Sequence, residues 1–119
     1  MVKAVFLGRF QPIHIGHQKV IEEYSEKFNL EVMIGSAGKS GTEDNPLSFE
    51  QRKNLIEKCH PEIEIAEIHD EEQDDNGHRK WAEKLERKTD AEILISQNDL
   101  VKQLVREHTD LKVEEQDLY

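Results

Sequence analysis

The segment Gly8–His17, GRFQPIHIGH, decides the fold, because it joins a short apolar run to a helical pattern through a turn that carries two histidines. The run Val2–Gly8 is apolar, partly β-branched and closed by glycine, which is typical of a buried strand. From Gly16 onward apolar residues recur at helical spacing, at Val20, Ile21, Tyr24 and Phe28. The segment therefore predicts a strand, a turn and a helix in immediate succession.

The start of this helix has the components of a polyphosphate site. Gly8 lets the backbone turn without a Cβ clash, and Gly16 would let a phosphate approach the backbone closely. The free N–H groups and the positive dipole end of a helix attract phosphate, and Arg9 adds a permanent cation. His14 and His17 could also be a metal pair or polar residues at a helix start. Their occurrence together with the strand and the glycine turn favours the phosphate site.

The remainder of the chain continues the alternation of strands and helices. Further strands are predicted at 30–35, 63–68, 91–95 and 111–114, with helices after Ser48, around 81–85 and around 100–105. Ser48 is a candidate N-cap with Gln51 in the capping-box position, and the loop 36–46 has no apolar period. This order predicts an α/β fold, a Rossmann-like parallel sheet of about five strands with helices on both faces. Ligands in such folds bind at the C-terminal ends of the strands.

Length and composition limit the class of protein. The 119 residues fit a single domain, 1–119. The net charge of -10 argues against a nucleic-acid or anionic-membrane partner, since both require basic patches. The single cysteine, Cys59, excludes an intramolecular disulfide and fits a reducing compartment, and no stretch is long enough to span a bilayer. We therefore expect a cytoplasmic protein.

Four motifs resemble those of one family. GRFQPIHIGH resembles the signature of the archaeal-type nicotinamide mononucleotide (NMN) adenylyltransferases, within the HxGH nucleotidyltransferase superfamily. The segment 45–48, NPLS, with Arg52, resembles that family's Asn-Pro-Phe-Thr segment and its following Arg. Asn76 with Trp81 resembles its Asn and Trp, and the segment 96–98, SQN, resembles its Thr-Gly-Asn turn. The resemblance extends over most of the chain and implies a fold of the HUP/nucleotidylyltransferase type.

The resemblance also implies a reaction, in which ATP and NMN give NAD and pyrophosphate, usually with Mg²⁺. His14 and His17 would be the catalytic residues that contact the ATP phosphates, while Arg9, Phe10 and Gln11 would line the pocket. The binding residues that it implies are Gly8, Arg9, Phe10, Gln11, Gly16, Ser36, Asn45, Arg52, Asn76, Trp81 and Asn98.

Several of these residues also have an ordinary structural interpretation. Trp81 is either a core residue or a stacking partner of the nicotinamide ring. Asn76 either caps the helix that carries Trp81 or contacts the acceptor base, and both are compatible. Arg52 is either a solvated helix charge or a ligand of the acceptor phosphate, and Asn98 could be a helix N-cap only. Gln97 replaces the family's Gly. Asp70, Asp74 and Asp75 suggest a metal by charge alone, but a solvated acidic loop is the usual case, so no protein metal site is predicted.

One difference concerns the C-terminus. The family continues into a Ser/Thr-rich motif ending in Arg that adds phosphate contacts, whereas this chain ends at Tyr119. We therefore expect weak, Mg²⁺-dependent ATP binding. Two alternatives stay open: a related transferase using another acceptor or nucleotide, such as CTP with a polyol phosphate, and a nucleotide-binding module without catalysis. The partners expected are small-molecule substrates, ATP and NMN, and a homo-oligomer is an alternative to a monomer.

Overall fold

The computed structural model describes residues 1–114, in which strands and helices alternate strictly. In that range none of the helices combines the length and the apolar character needed to cross a bilayer. The elements are β1 (Lys3–Gly8), α1 (Ile15–Lys27), β2 (Asn29–Ile34), α2 (Phe49–Cys59), β3 (Glu64–Glu67), α3 (Asp75–Lys88), β4 (Ile93–Ser96), α4 (Asp99–His108) and β5 (Lys112–Val113). The predicted order is confirmed for every element.

The five strands form one parallel sheet in the order β3-β2-β1-β4-β5. The chain moves outward from β1 to β3, then crosses to the other side of β1 for β4 and β5. Parallel sheets bind ligands where the strand order reverses, which here is between β1 and β4. The register pairs Gly8 with Ile34 and Leu7 with Ser96, so three strands end at the same edge.

The sheet is covered on both faces, as predicted. Side chains alternate between the two faces of a strand, so Ala4 and Phe6 pack on one side of β1 while Val5 and Leu7 pack on the other. The first side is covered by α1 and α2, and the second by α3 and α4. Val5 is completely buried, and burial of such a side chain contributes about 1.5–3 kcal/mol to folding. The two layers fix α1, α3 and α4 around one sheet edge.

The helix starts show which capping predictions hold. Ser48 caps α2 and forms the capping box with Gln51, as the sequence predicted. Asn98 caps α4 through its side-chain oxygen. The prediction that Asn76 caps α3 is wrong, because Asp74 accepts the hydrogen bond at that helix start instead. Asn76 is instead the second residue of α3, where it is exposed and its side chain accepts a hydrogen bond from Arg79 of the same helix.

Candidate active site

A cavity of about 550 Å³ opens at the C-terminal edge of the sheet, at the point where the strand order reverses. The ends of β1, β2 and β4 and the starts of α1, α3 and α4 form its wall. The sequence-predicted site residues that line it are Gly8, Arg9, Phe10, Gln11, His14, His17, Ser36, Trp81 and Asn98. The remaining four, Gly16, Asn45, Arg52 and Asn76, do not line it.

His14 and His17 cap the first turn of α1 reciprocally. Nδ1 of His14 accepts hydrogen bonds from the N–H groups of Gly16 (3.0 Å) and His17 (3.4 Å). Nδ1 of His17 accepts one from the N–H of His14 at 3.1 Å, and the two rings stack with centroids 3.6 Å apart. A nitrogen that accepts carries no proton, so each neutral ring must carry its proton on Nε2. The fold thus makes both imidazoles Nε2–H donors at the cavity wall.

The surroundings of His17 keep its imidazole neutral. Burial and, to a lesser degree, the adjacent His14 lower the pKa of His17 from about 6.5 to about 4. Its ring packs against that of Phe10 with centroids 4.6 Å apart, and lies 6.1 Å from that of Phe6. At neutral pH the ring therefore meets a ligand as a neutral hydrogen-bond donor, not as a cation.

Gly8 admits an aromatic ring to the cavity floor. The expectation that Gly8 avoids a Cβ clash in the turn holds, and the clash avoided is with the ring of Phe10; the left-handed backbone is at Phe10, with φ 52°, and not at Gly8. A Cβ on Gly8 would lie 3.1 Å from the ring of Phe10, which is almost completely buried and packs edge-to-face on Phe6 at 5.5 Å. A positive φ in a bulky residue costs roughly 1–3 kcal/mol and is concentrated at functional sites. The Gly8 and Phe10 pair therefore shapes the wall beneath His17.

Gln11 docks a distant loop onto this turn. Its Nε2 donates to the carbonyl oxygen of Leu47 at 3.0 Å, and its Oε1 accepts from the N–H of Leu47 at 2.8 Å. Both polar atoms of the amide are thus occupied. Gln11 contributes to the cavity by holding the segment before α2 in place.

Arg52 is completely buried, so the interpretation as a solvated helix charge is wrong. Its five N–H donors face backbone carbonyl oxygens of Arg9, Gly35, Ser36, Ala37, Lys39 and Ser48 at 2.8–3.4 Å. Burial and the nearby Arg9 lower the pKa of Arg52, but a guanidinium stays protonated in proteins. The geometry does not bring Arg52 to the cavity surface, where an acceptor phosphate could meet it.

Asn45 and Gly16 are buried beside the cavity. The backbone N–H of Asn45 donates to Oγ1 of Thr42 at 3.0 Å, while its side-chain Oδ1 is buried without a hydrogen-bond partner among residues 1–114. Gly16 lies in the first turn of α1, where its N–H is bonded to His14. Gly16 therefore acts on the cavity wall through His14, whereas the hydrogen bonds of Asn45 stay within its own loop, at Thr42.

An acidic wall, Asp70–Glu72, was missed by sequence reasoning, which treated this run as a solvated loop. All three residues line the cavity. Ser36 has φ 49° and donates its hydroxyl to Asp70 at 3.0 and 3.1 Å, and Lys39 pairs with Asp70 at 3.0 Å. A hydrogen bond from Lys84 lowers the pKa of Glu71. The sequence signal that could have identified these residues is their position shortly after the end of β3. Residues 1–114 contain no group of three side chains able to hold a metal.

The first two turns of α3 complete the opposite wall. Trp81 is partly buried against the second core layer and also lines the cavity, so its position is compatible with both interpretations of this residue. Asn76 is exposed and accepts a hydrogen bond from Arg79 at 3.0 Å. Gly77 lies against the acidic wall, because a Cβ there would fall well inside van der Waals contact with the carbonyl oxygen of Glu72. The wall and α3 are thus packed as one unit.

A parallel sheet with a histidine-capped helix start at its reversal point defines an α/β nucleotidyltransferase domain. The comparison with known families agrees with this class. Residues 5–118 match the cytidylyltransferase-like family, and the chain belongs to that family.

Similar proteins carry names consistent with the class. The nicotinamide-nucleotide adenylyltransferase of Methanosarcina barkeri is 32% identical over 109 residues, which cover 90% of this chain and 63% of that protein. The enzyme of the same name from Halobacterium salinarum is 39% identical over 67 residues, covering 56% and 38%. A crystal structure of a bifunctional NMN adenylyltransferase/ADP ribose pyrophosphatase from Francisella tularensis, complexed with AMP and a manganese ion, superposes with a TM-score of 0.77 at 25% identity. The match covers 99% of this chain and 37% of that one. This chain therefore spans between about a third and two thirds of these proteins.

Proposed function

We propose that this protein is an adenylyltransferase that transfers AMP from ATP to NMN and releases pyrophosphate. The observation that carries the proposal is the pair of imidazoles, His14 and His17, whose Nδ1 atoms both accept backbone N–H groups, so that Nε2 is the nitrogen left to donate at the cavity wall. The names of similar archaeal and bacterial proteins support the same reaction. The product would be NAD, which makes this a step of NAD biosynthesis.

In this reaction a phosphate oxygen of NMN forms a bond to the α-phosphorus of ATP, while the bond to the bridging oxygen of the pyrophosphate breaks. The nucleophile is already an anion, so no general base is needed, and catalysis rests on positioning and charge stabilisation. Negative charge grows on the pyrophosphate oxygens as they leave. The donors of His14 and His17 would stabilise it there, which is the effect of an oxyanion hole.

Mg²⁺ would enter this site with the triphosphate. The ion favours oxygen ligands, retains several waters and is usually held by substrate phosphates with one or two carboxylates. The described residues 1–114 fit that mode, since they provide no three-ligand cage while cavity carboxylates lie nearby. Asp70 is already engaged by Ser36 and Lys39, and Glu71 is paired with Lys84. Of the three residues of the acidic wall, Glu72 is therefore the one best able to contact such an ion. The bound ion would supply charge neutralisation.

The acceptor base would lie against α3. The nicotinamide ring of NMN is a pyridinium cation, and cations are attracted both to aromatic faces and to carboxylates. Trp81 and the acidic wall Asp70–Glu72 provide both on one side of the cavity. Our proposed set of substrate-binding residues also includes three that line the same cavity: Ser36, Arg9 and Asn98. The net charge and the single cysteine support a cytoplasmic location for this reaction.

The test is release of pyrophosphate with ATP plus NMN, compared with ATP alone and with CTP plus glycerol phosphate. We expect release only with the first pair, with NAD formed in equal amount. Release with the cytidylyl pair would assign the alternative acceptor and nucleotide. Calorimetric binding of ATP without any release would identify a nucleotide-binding module and contradict the proposal.

A further inference from the structure

Arg52 is a buried cation without a counter-ion. Its side chain is 0% exposed, and within residues 1–114 no carboxylate pairs with it. Burying an unpaired charge is costly unless many hydrogen bonds compensate it, and here backbone carbonyl oxygens take that part. A protein with a net charge of -10 has ample carboxylates for pairing. Within residues 1–114 no carboxylate therefore neutralises the positive charge of Arg52 beneath the cavity.

The hydrogen bonds of Arg52 also orient two peptide groups. In a trans peptide the C=O and the following N–H point in opposite directions. The carbonyl oxygens of Arg9 and Gly35 accept from Nη1 of Arg52 at 3.1 and 2.8 Å, so the N–H groups of Phe10 and Ser36 are directed away from the guanidinium. Both residues line the cavity and both have positive φ. Neither N–H has a hydrogen-bond acceptor in the described part of the chain.

We propose that Arg52 is a positioning residue that holds the N–H groups of Phe10 and Ser36 as donors for an anionic phosphate oxygen of the substrate and reinforces them with its own charge. The proposal rests on the proposed function, because it requires a polyphosphate in this cavity. The planar guanidinium has five donors in a rigid fork, and an ammonium has three on a flexible stem. Lysine at this position would retain the charge and release the fixed orientation of the two peptides.

The test compares Arg52→Lys with wild type and with Arg87→Lys, a matched exchange on the exposed last turn of α3. Binding of inorganic tripolyphosphate is followed by calorimetry and by the amide NMR shifts of Phe10 and Ser36. In wild type both amides should shift on saturation. In Arg52→Lys the affinity should fall by at least about tenfold, since two hydrogen bonds to a charged ligand are weakened. The turnover number for pyrophosphate release should fall more than KM for ATP rises, and Arg87→Lys should match wild type.

Two results would overturn the proposal. The first is an unchanged tripolyphosphate affinity in folded Arg52→Lys, even with a lowered melting temperature, because that would leave Arg52 a structural role only. The second is wild-type protein whose Phe10 and Ser36 amides do not shift, a measurement that needs no variant to fold. Both results depend only on the binding of tripolyphosphate and not on turnover. Wild-type protein that binds tripolyphosphate without releasing pyrophosphate from ATP and NMN would contradict the proposed reaction. The comparison of tripolyphosphate affinity between wild type and Arg52→Lys would still test the role of Arg52.

Discussion

Replacing His17 by Asn and by Ala should separate the two tasks of this imidazole. Its Nδ1 accepts the N–H of His14 at 3.1 Å and stabilises the helix start, while its Nε2–H is the donor assigned to the leaving pyrophosphate. The amide oxygen of Asn occupies the position of Nδ1, and Asn has no atom at the position of Nε2. Ala lacks both groups. The stability and the turnover of the two variants should therefore change differently.

The magnitudes follow from the contacts. Loss of a helix-cap acceptor costs about 1 kcal/mol, and it applies to His17→Ala only. Both variants lose ring contacts with Phe10 and Phe6, which adds roughly 1 kcal/mol on the scale of apolar burial. We expect His17→Ala to lose about twice the unfolding free energy that His17→Asn loses. Loss of one preorganised donor lowers turnover about 10²-fold, and this applies to both variants alike.

Urea denaturation gives the unfolding free energies, and pyrophosphate release from ATP plus NMN gives the turnover numbers. His108→Asn, at the last turn of α4, is the matched control and should resemble wild type in both measurements. ATP affinity should change far less than turnover in either variant. Turnover of His17→Asn close to wild type would refute the assignment of the Nε2–H donor. Equal stability of the two variants would refute the capping role.

Three further predictions concern the pH dependence of stability, the packing of Gly77 and the role of Trp81. Because His17 has a pKa of about 4 when folded and about 6.5 when unfolded, the unfolded chain binds an extra proton between these values, so wild type should lose stability as pH falls from 6.5 to 4. His17→Asn should lack this component, and parallel pH profiles of the two proteins would contradict it. Gly77→Ala should lower the unfolding free energy by roughly 2 kcal/mol or more through overlap with Glu72 and should weaken NMN binding more than ATP binding, whereas a stabilised variant would show that the loop does not pack there. Trp81→Ala should weaken NMN binding by about 1–3 kcal/mol with ATP binding almost unchanged, and thermal destabilisation with intact NMN affinity would make it a core residue only.

Local patterns in the sequence predicted the fold well. Each strand and helix has its own periodicity, and parallel topology then brings the strand ends together, so the cavity at the end of β1 follows from the chain order. The cap at Ser48 was predictable because its partner Gln51 is three residues away. Which of Asp74 and Asn76 caps α3 was not predictable from the sequence. Both are good cap residues, and the contact of the preceding loop with Gly77 is a tertiary feature.

The environment of Arg52 could not be read from the sequence, because its acceptors are backbone carbonyl groups that every residue has. They lie as far as 43 residues away along the chain. Gln11 presents the same difficulty, since its amide pairs with the main chain of Leu47 whatever side chain is there. Side chains that act on the backbone leave no pattern of complementary residue types. Sequence reasoning could therefore assign these two residues to the site without finding what they do there.

The neutrality of His17 has a consequence for the end of the proposed catalytic cycle. A site lined by ammonium groups would hold the departing pyrophosphate through long-range attraction, whereas uncharged donors hold it only within hydrogen-bond distance. Once the product moves outward by a few ångströms, it meets the field of a chain with a net charge of -10. The two imidazoles therefore stabilise the leaving group at contact and add no attraction once it has moved outward, where Arg9 and Arg52 oppose the repulsion. Product escape, which limits the rate of many transferases, would be fast in this protein and would slow as added salt screens the repulsion.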